Sequence, residues 1–381
     1  MCYNCLENLI FLKIGGFYMR KKWIRTVLAA LMSAAVLMSS ACAADMSEQS
    51  EDIAAQAEIV REGGMAFIPE RSVYFADVDT NYSWGFHAID YLANTGVVSG
   101  TGNLIYSPGK SLSRADFVLM LYRAYDMEKY AEGENFADVS ADAYYADAVL
   151  AARAIGIAAG DENNNFNPSQ TLTRQDAMVL LKRTLDRTGL QFAEGDLSGF
   201  TDADQVADYA VDSVGALVKA GIIGGSDGKI NPTAPVTRAE MAVMLYRALH
   251  LQTVDGVAYY ETRPAVRLVC VGSTIYPDIE IENYQSGTFY AGLYELTQLT
   301  KDEDGYSITL GQSQSIDDQI VWDGTNLSVN GEVMQVADDC EAIAVDMYSK
   351  RTAGLCSTGD EYKAGAVSVV DGLVQTVYYK K

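Results

Sequence analysis

Three arginines occupy the same four-residue setting: Ser113-Arg114-Ala115-Asp116, Thr173-Arg174-Gln175-Asp176 and Thr237-Arg238-Ala239-Glu240. A hydroxyl residue followed three positions later by an acid marks a helix start, with the hydroxyl as N-cap. An arginine in that first turn stands at the positive end of the helix dipole, where a cation is disfavoured by roughly a few tenths of a kcal/mol. Its recurrence therefore needs a reason. Free N–H groups at a helix start attract anions. A guanidinium beside them adds a planar donor fork suited to a carboxylate. Two readings stand side by side. Either the chain builds an anion-binding corner three times, or each arginine pairs with an acidic neighbour such as Asp77, Asp138 or Asp202 and only ties repeats together.

The elements that must position these arginines also recur. Each copy opens on an aromatic and an acid: Phe75-Ala76-Asp77-Val78, Phe136-Ala137-Asp138-Val139 and Phe200-Thr201-Asp202-Ala203. An aromatic-led helical stretch follows from Trp84, Tyr144 and Tyr209, and a glycine ends it at Gly96, Gly156 and Gly221. A polar loop then carries a proline, Pro108, Pro168 or Pro232, always six residues before the arginine. In the first copy Ala88, Ile89 and Leu92 give a stripe of helical spacing, and Phe117, Leu121 and Ala124 give the second helix its apolar face. Each copy reads as helix, long loop, helix. A period of this length means an array of one unit that cannot bury its apolar face alone.

The order Phe-x-Asp-Val, aromatic, Gly-Ile-Ile-x-Gly, Asn-Pro, Thr-Arg-Ala-Glu resembles the S-layer homology (SLH) domain. Repeat three is nearest, with Gly221-Ile222-Ile223-Gly224-Gly225, Asn231-Pro232 and Thr237-Arg238-Ala239-Glu240. The resemblance covers roughly residues 73–251. It implies an all-α, pseudo-threefold helical spindle whose grooves bind secondary cell-wall polysaccharide, often through a pyruvyl ketal carboxylate. It also implies that Arg114, Arg174 and Arg238 are the main ligand contacts, with Trp84, Tyr144 and Tyr209 beside them. The chain departs from the family pattern in places. Its first two boxes end in Asp, Gln175 replaces Ala, the family tryptophan survives only as Trp84, and Ala158-Ala159 stands where the other copies have Val98-Ser99 and Ile223-Gly224. Repeat two is the expected weakest groove.

The ends and the charge bear on compartment. Lys13 to Tyr18 before Met19 resembles a translated ribosome-binding site, so residues 1–18 read as untranslated upstream sequence. Residues 19–44 read as a signal peptide: a basic start (Arg20, Lys21, Lys22, Arg25), an apolar core over Thr26–Met38 and a small-residue site at Ala41-Cys42-Ala43. Lipidation of Cys42, and with it a membrane anchor, is the alternative. Removing residues 1–44 takes away Glu7 and five bases and moves the formal charge from −23 to −27. Such a surface disfavours nucleic acid and anionic lipid. Cys270, Cys340 and Cys356 remain, an odd number that argues against a disulfide framework. A Cys340–Cys356 bridge and buried free thiols are both open. No metal or cofactor is implied: Asp161, Asn163 and Asn165 mimic a calcium loop, but Phe166 replaces the glycine and Leu172 the bidentate acid.

Residues 45–72 read as an acidic linker or a short element packed on the first repeat. The repeats are expected over 73–127, 134–188 and 198–251. A β domain, barrel or sandwich, is expected over 256–381, because the period changes to two and hairpin turns stand at Asp323-Gly324, Asn330-Gly331 and Asp371-Gly372. The only histidines, His87 and His250, lie in the repeats and read as structural. Asp338, Asp339 and Glu341 could form a glycosidase pair, but acid-rich surfaces are more often solvated faces, and no catalysis is expected. The sequence thus reads as a secreted bacterial surface protein held non-covalently to wall polysaccharide, with its β domain displayed outward. The rival readings are an envelope enzyme or glycan-binding protein whose β domain carries the activity, and a lipoprotein anchored at Cys42.

Overall fold

A computed structural model describes residues 58–262, 266–285, 289–302, 305–345, 351–352 and 360–380. The expected upstream segment, the signal peptide, Cys42 and Cys356 lie outside them. The described chain divides into two compact units, Trp84–Thr262 and residues 58–83 with 266–380.

The first unit holds six α-helices: α1 (Phe86–Asn94), α2 (Arg114–Ala124), α3 (Ala146–Ala154), α4 (Arg174–Asp186), α5 (Val211–Lys219) and α6 (Arg238–Leu249). Each repeat contributes two, as the spacing predicts. Ser113, Thr173 and Thr237 cap α2, α4 and α6, accepting the N–H of Asp116, Asp176 and Glu240. Only the third cap is a full capping box, because Glu240 reaches back to the Thr237 N–H. Gly96, Gly156 and Gly221 end α1, α3 and α5 at φ near +75°, the left-handed conformation that lets the next amide turn back onto the helix.

The helices pack across repeats: α2 lies against α3, α4 against α5, and α6 closes on α1. Ile89, Leu92, Phe117, Leu121, Leu217 and Leu245 are buried in this array. At its centre a ring of three backbone hydrogen bonds, each 3.0 Å, runs Leu112 N–H to Val236 C=O, Val236 N–H to Leu172 C=O and Leu172 N–H to Leu112 C=O. One residue from each repeat satisfies the next, so the array closes with pseudo-threefold symmetry. Both histidines lie at the α6–α1 seam, where His87 Nε2 meets the Tyr246 hydroxyl and the His250 ring lies tilted against the Tyr246 ring with centroids 4.3 Å apart. A hairpin, β3 (Leu251–Val254) and β4 (Val257–Tyr260), also belongs to this unit; Tyr260 donates its N–H to Ala220 and Ala258 to Gln191. The unit is therefore mainly, not wholly, α-helical, and the boundary expected at residue 256 moves past the hairpin.

The second unit is β-rich. Its strands are β1 (Glu58–Arg61), β2 (Met65–Ile68), β5 (Val266–Val271), β6 (Thr274–Ile281), β7 (Gly292–Asp302), β8 (Gly305–Gln314), β9 (Asp318–Trp322), β10 (Leu327–Val329), β11 (Glu332–Met334), β12 (Val336–Ala344), β13 (Arg351–Thr352), β14 (Asp360–Val370) and β15 (Leu373–Tyr379). β2, β5, β6, β8 and β7 pair in succession, and β7 pairs back onto β2, which closes the circuit. Ala66, Val269, Ile279, Leu296 and Ile308 fill it. A seven-stranded sheet, β11-β10-β9-β14-β15-β12-β13, follows. Tyr378 links the two: its hydroxyl donates to Met65 C=O and accepts the Gly272 N–H, both at 3.2 Å. The hairpins at Asn330-Gly331 and Asp371-Gly372 form with both residues at positive φ, and Asp323 caps its own turn by accepting the N–H groups of Thr325 and Asn326.

The stretch expected as an acidic linker departs from that expectation over residues 58–68. Glu58–Arg61 and Met65–Ile68 are strands paired with β7, and Ala66 and Ile68 are core residues. The repeats therefore do not simply precede a β domain; they are inserted between its strands β2 and β5. Cys270 and Cys340 are buried, and burial pushes the Cys340 thiol up to about 11.

Candidate functional site

The first turns of α2, α4 and α6 are built into the seams of the ring. Arg114, Arg174 and Arg238 donate their backbone N–H to Gln170, Ala234 and Lys110, each at 2.9 Å. The next amides, of Ala115, Gln175 and Ala239, bond to the carbonyls of Pro168, Pro232 and Pro108. The third go to the cap side chains. The free amides expected to draw an anion are thus already bonded, and any affinity for an anion must come from side chains.

Those side chains reach into the loop of the following repeat. Arg114 Nη2 donates to Ala159 C=O at 3.1 Å, with its guanidinium 4.9 Å from the Phe166 ring. Arg174 Nε donates to Ile230 C=O at 2.9 Å. Arg238 Nε and Nη2 donate to Tyr106 and Ser99 C=O, both at 2.8 Å, and its guanidinium lies 4.3 Å over Tyr106. Tyr106, Phe166 and Ile230 hold equivalent places two residues before each loop proline. Sequence reasoning passed over them, though their shared spacing was a usable signal.

The tie to Asp138 or Asp202 does not form. Asp138 accepts the N–H groups of Phe166 and Asn167, and Asp202 those of Ile230 and Asn231, at 2.7–2.9 Å. These acids hold the loops on which the arginines rest. Asn167 and Asn231 sit at φ +60° and +54°, which asparagine tolerates better than most residues.

Trp84, Tyr144 and Tyr209 lie at the surface, 55%, 69% and 60% exposed, two residues ahead of their helices. The rings on which the Arg114 and Arg238 guanidiniums rest are Phe166 and Tyr106. Tyr144 donates its hydroxyl to Asp116 Oδ1 at 2.6 Å, and Tyr209 to Asp176 Oδ1 at 2.7 Å. Each bond crosses a repeat boundary. The Asp116 bond, with burial and charge adding to it, pushes the Tyr144 phenol up to about 12; burial and then Asp176 do the same at Tyr209. Arg114 feels Asp176 and Tyr209 directly, and burial lowers its pKa. One corner therefore gathers Arg114, Asp176 and Tyr209, one residue from each repeat. Elsewhere in the ring Tyr144 of repeat two meets Asp116 of repeat one, and Arg174 Nη1 of repeat two meets Glu240 Oε1 of repeat three at 2.9 Å. Gln175, the departure in the second box, is buried and accepts the Ala207 N–H, which steadies the approach to Tyr209. Among the described residues no group of three His, Cys, Asp or Glu side chains could hold a metal. In the β unit Glu341 accepts the Ser273 N–H at 2.7 Å.

A ring of three helix pairs with a shared corner motif defines a repeat module. A family model for the S-layer homology domain matches residues 74–118, 135–178 and 199–242. The chain carries three S-layer homology domains. It is 38% identical over 167 residues to the surface-layer 125 kDa protein of Lysinibacillus sphaericus, across 42% of this chain and 14% of that protein. It is 24% identical over 303 residues to an S-layer protein of Bacillus thuringiensis subsp. finitimus, across 79% of this chain and 33% of that one. It is also 28% identical over 201 residues to exoglucanase XynX of Acetivibrio thermocellus, across 52% of this chain and 18% of the enzyme. The chain thus spans a third or less of the length of each of these three relatives. The domains and the S-layer relatives mark a secreted surface protein of the cell wall or S-layer.

Proposed function

We propose that the repeat unit anchors this chain non-covalently to an acidic cell-wall polysaccharide, with a carboxylate such as a pyruvyl ketal received at the corners of Arg114, Arg174 and Arg238. The observation that carries the reading is the composition of each corner. Around Arg114 a guanidinium, a box acid and an exposed ring come from three different repeats, and across the other two seams an exposed ring meets a box acid and a guanidinium meets a box acid. A guanidinium fork suits a planar carboxylate, and a neighbouring exposed ring offers an apolar face to a sugar. The β unit is what the anchor displays. We infer no catalytic role for it: of the candidate carboxylates, Asp338 and Asp339 are solvent-exposed on β12 and Glu341 accepts a backbone amide. Co-sedimentation of the purified chain with isolated walls tests the reading. Untreated walls should retain the chain, and walls stripped of ketal-linked pyruvate by mild acid should not. Equal retention on both would remove the ketal carboxylate from the account.

A further inference from the structure

We propose that the three corners are not equivalent: those of Arg114 and Arg238 are open to the wall anion, and that of Arg174 is closed by Glu240 of the same chain. The proposal rests on the wall-binding reading above and goes on to say which corners do the work.

The difference begins with the aromatic. Tyr144 and Tyr209 carry hydroxyls, and each donates to the outer oxygen of its box acid. The other oxygen of Asp116 and of Asp176 accepts the cap hydroxyl of Ser113 or Thr173. Both aspartates are thus spent on neutral donors. Trp84 has no hydroxyl to offer. The third acid is Glu240, one methylene longer. Its Oε2 serves the cap, taking both the N–H and the hydroxyl of Thr237, and its Oε1 takes Arg174. Two box acids thus take a tyrosine hydroxyl, and the third takes an arginine.

The consequence falls on the guanidiniums. Arg174 spends Nε on Ile230 C=O and Nη1 on a carboxylate, and its side chain is only 12% exposed. An incoming carboxylate there would exchange one charge-assisted hydrogen bond for another of the same kind, with little net gain. Arg114 and Arg238 bond only to neutral carbonyls and pair with no acid among the described residues. Arg114 feels the opposite charge of Asp176 more than the like charge of Arg183, but it forms no ion pair with Asp176.

Titration calorimetry of the full chain with a soluble wall fragment bearing the ketal carboxylate tests this. The expected stoichiometry is two fragments per chain. Arg114→Ala and Arg238→Ala should each weaken one site about 10- to 100-fold. Glu240→Gln keeps an acceptor for the Thr237 cap but removes the competing charge, so it should raise the stoichiometry to three. Adding Arg174→Ala to Glu240→Gln should return it to two. A wild-type stoichiometry of three, or Glu240→Gln that leaves it at two, would overturn the proposal while wall binding itself stood. Absence of any heat of binding from chain whose helix content is intact would overturn the wall-binding reading as well.

Discussion

Tyr144 and Tyr209 look like solvent-exposed aromatics, yet each holds a bond between neighbouring repeats. Their phenols are neutral well past the ordinary value of 10.0, up to about 12. The hydroxyl–carboxylate bonds are therefore complete below pH 10 and are lost as pH rises through about 12. In an ultraviolet tyrosinate titration, Tyr144→Phe and Tyr209→Phe should each delete one late-titrating phenol. Deletion of a phenol that titrates near 10 would show that the bond does not form in solution. Asp202 carries a different burden. Burial pushes its pKa up, but the N–H donors of Ile230 and Asn231 outweigh that and hold it below its ordinary value. The stability it contributes is full above that ordinary value and drains as pH falls through the folded one. Asp202→Ala leaves two loop amides without their acceptor and should cost about 2–3 kcal/mol in urea denaturation. Asp202→Asn should flatten the acid limb of the stability curve. An Asp202→Ala chain as stable as wild type would mean that the loop finds other acceptors.

The helix pairs, their caps and their glycine stops were legible because each signal is local and repeats three times. The corners were legible only in part. Arg114, Arg174 and Arg238 stood out by type and position, but each one's partners lie in the following repeat, and no spacing within one copy points there. Tyr106 and Phe166 went unrecognised as the rings beneath Arg238 and Arg114 for that reason. β1 and β2 were illegible for a related cause. Each is four residues long, and its partner in β7 lies about 230 residues later. The insertion of the repeats between β2 and β5 has a direct consequence. A fragment of residues 266–381 lacks Ala66 and Ile68 and leaves β5 and β7 with open edges. It should be unfolded or aggregated by circular dichroism and proton NMR. Residues 58–70 joined to 266–381 through a short flexible linker should give a dispersed spectrum. A well-dispersed spectrum from 266–381 alone would contradict the pairing.

At the scale of the whole molecule, a chain of formal charge −23 is asked to hold an acidic glycan. Screening confines charge effects to about 8–10 Å, so the corner arginines act locally against that background. Several corners on one chain raise retention by avidity, and single losses are partly masked. The most direct measurement is therefore retention on isolated walls by a chain with all three exposed rings removed, Trp84→Ala, Tyr144→Ala and Tyr209→Ala together. These side chains are more than half exposed, and the arginine ties and helix caps do not depend on them. The account predicts that this variant keeps its helix content and is washed from walls that retain the wild-type chain. Retention equal to wild type, with the fold intact, would contradict the claim that these corners are the anchor.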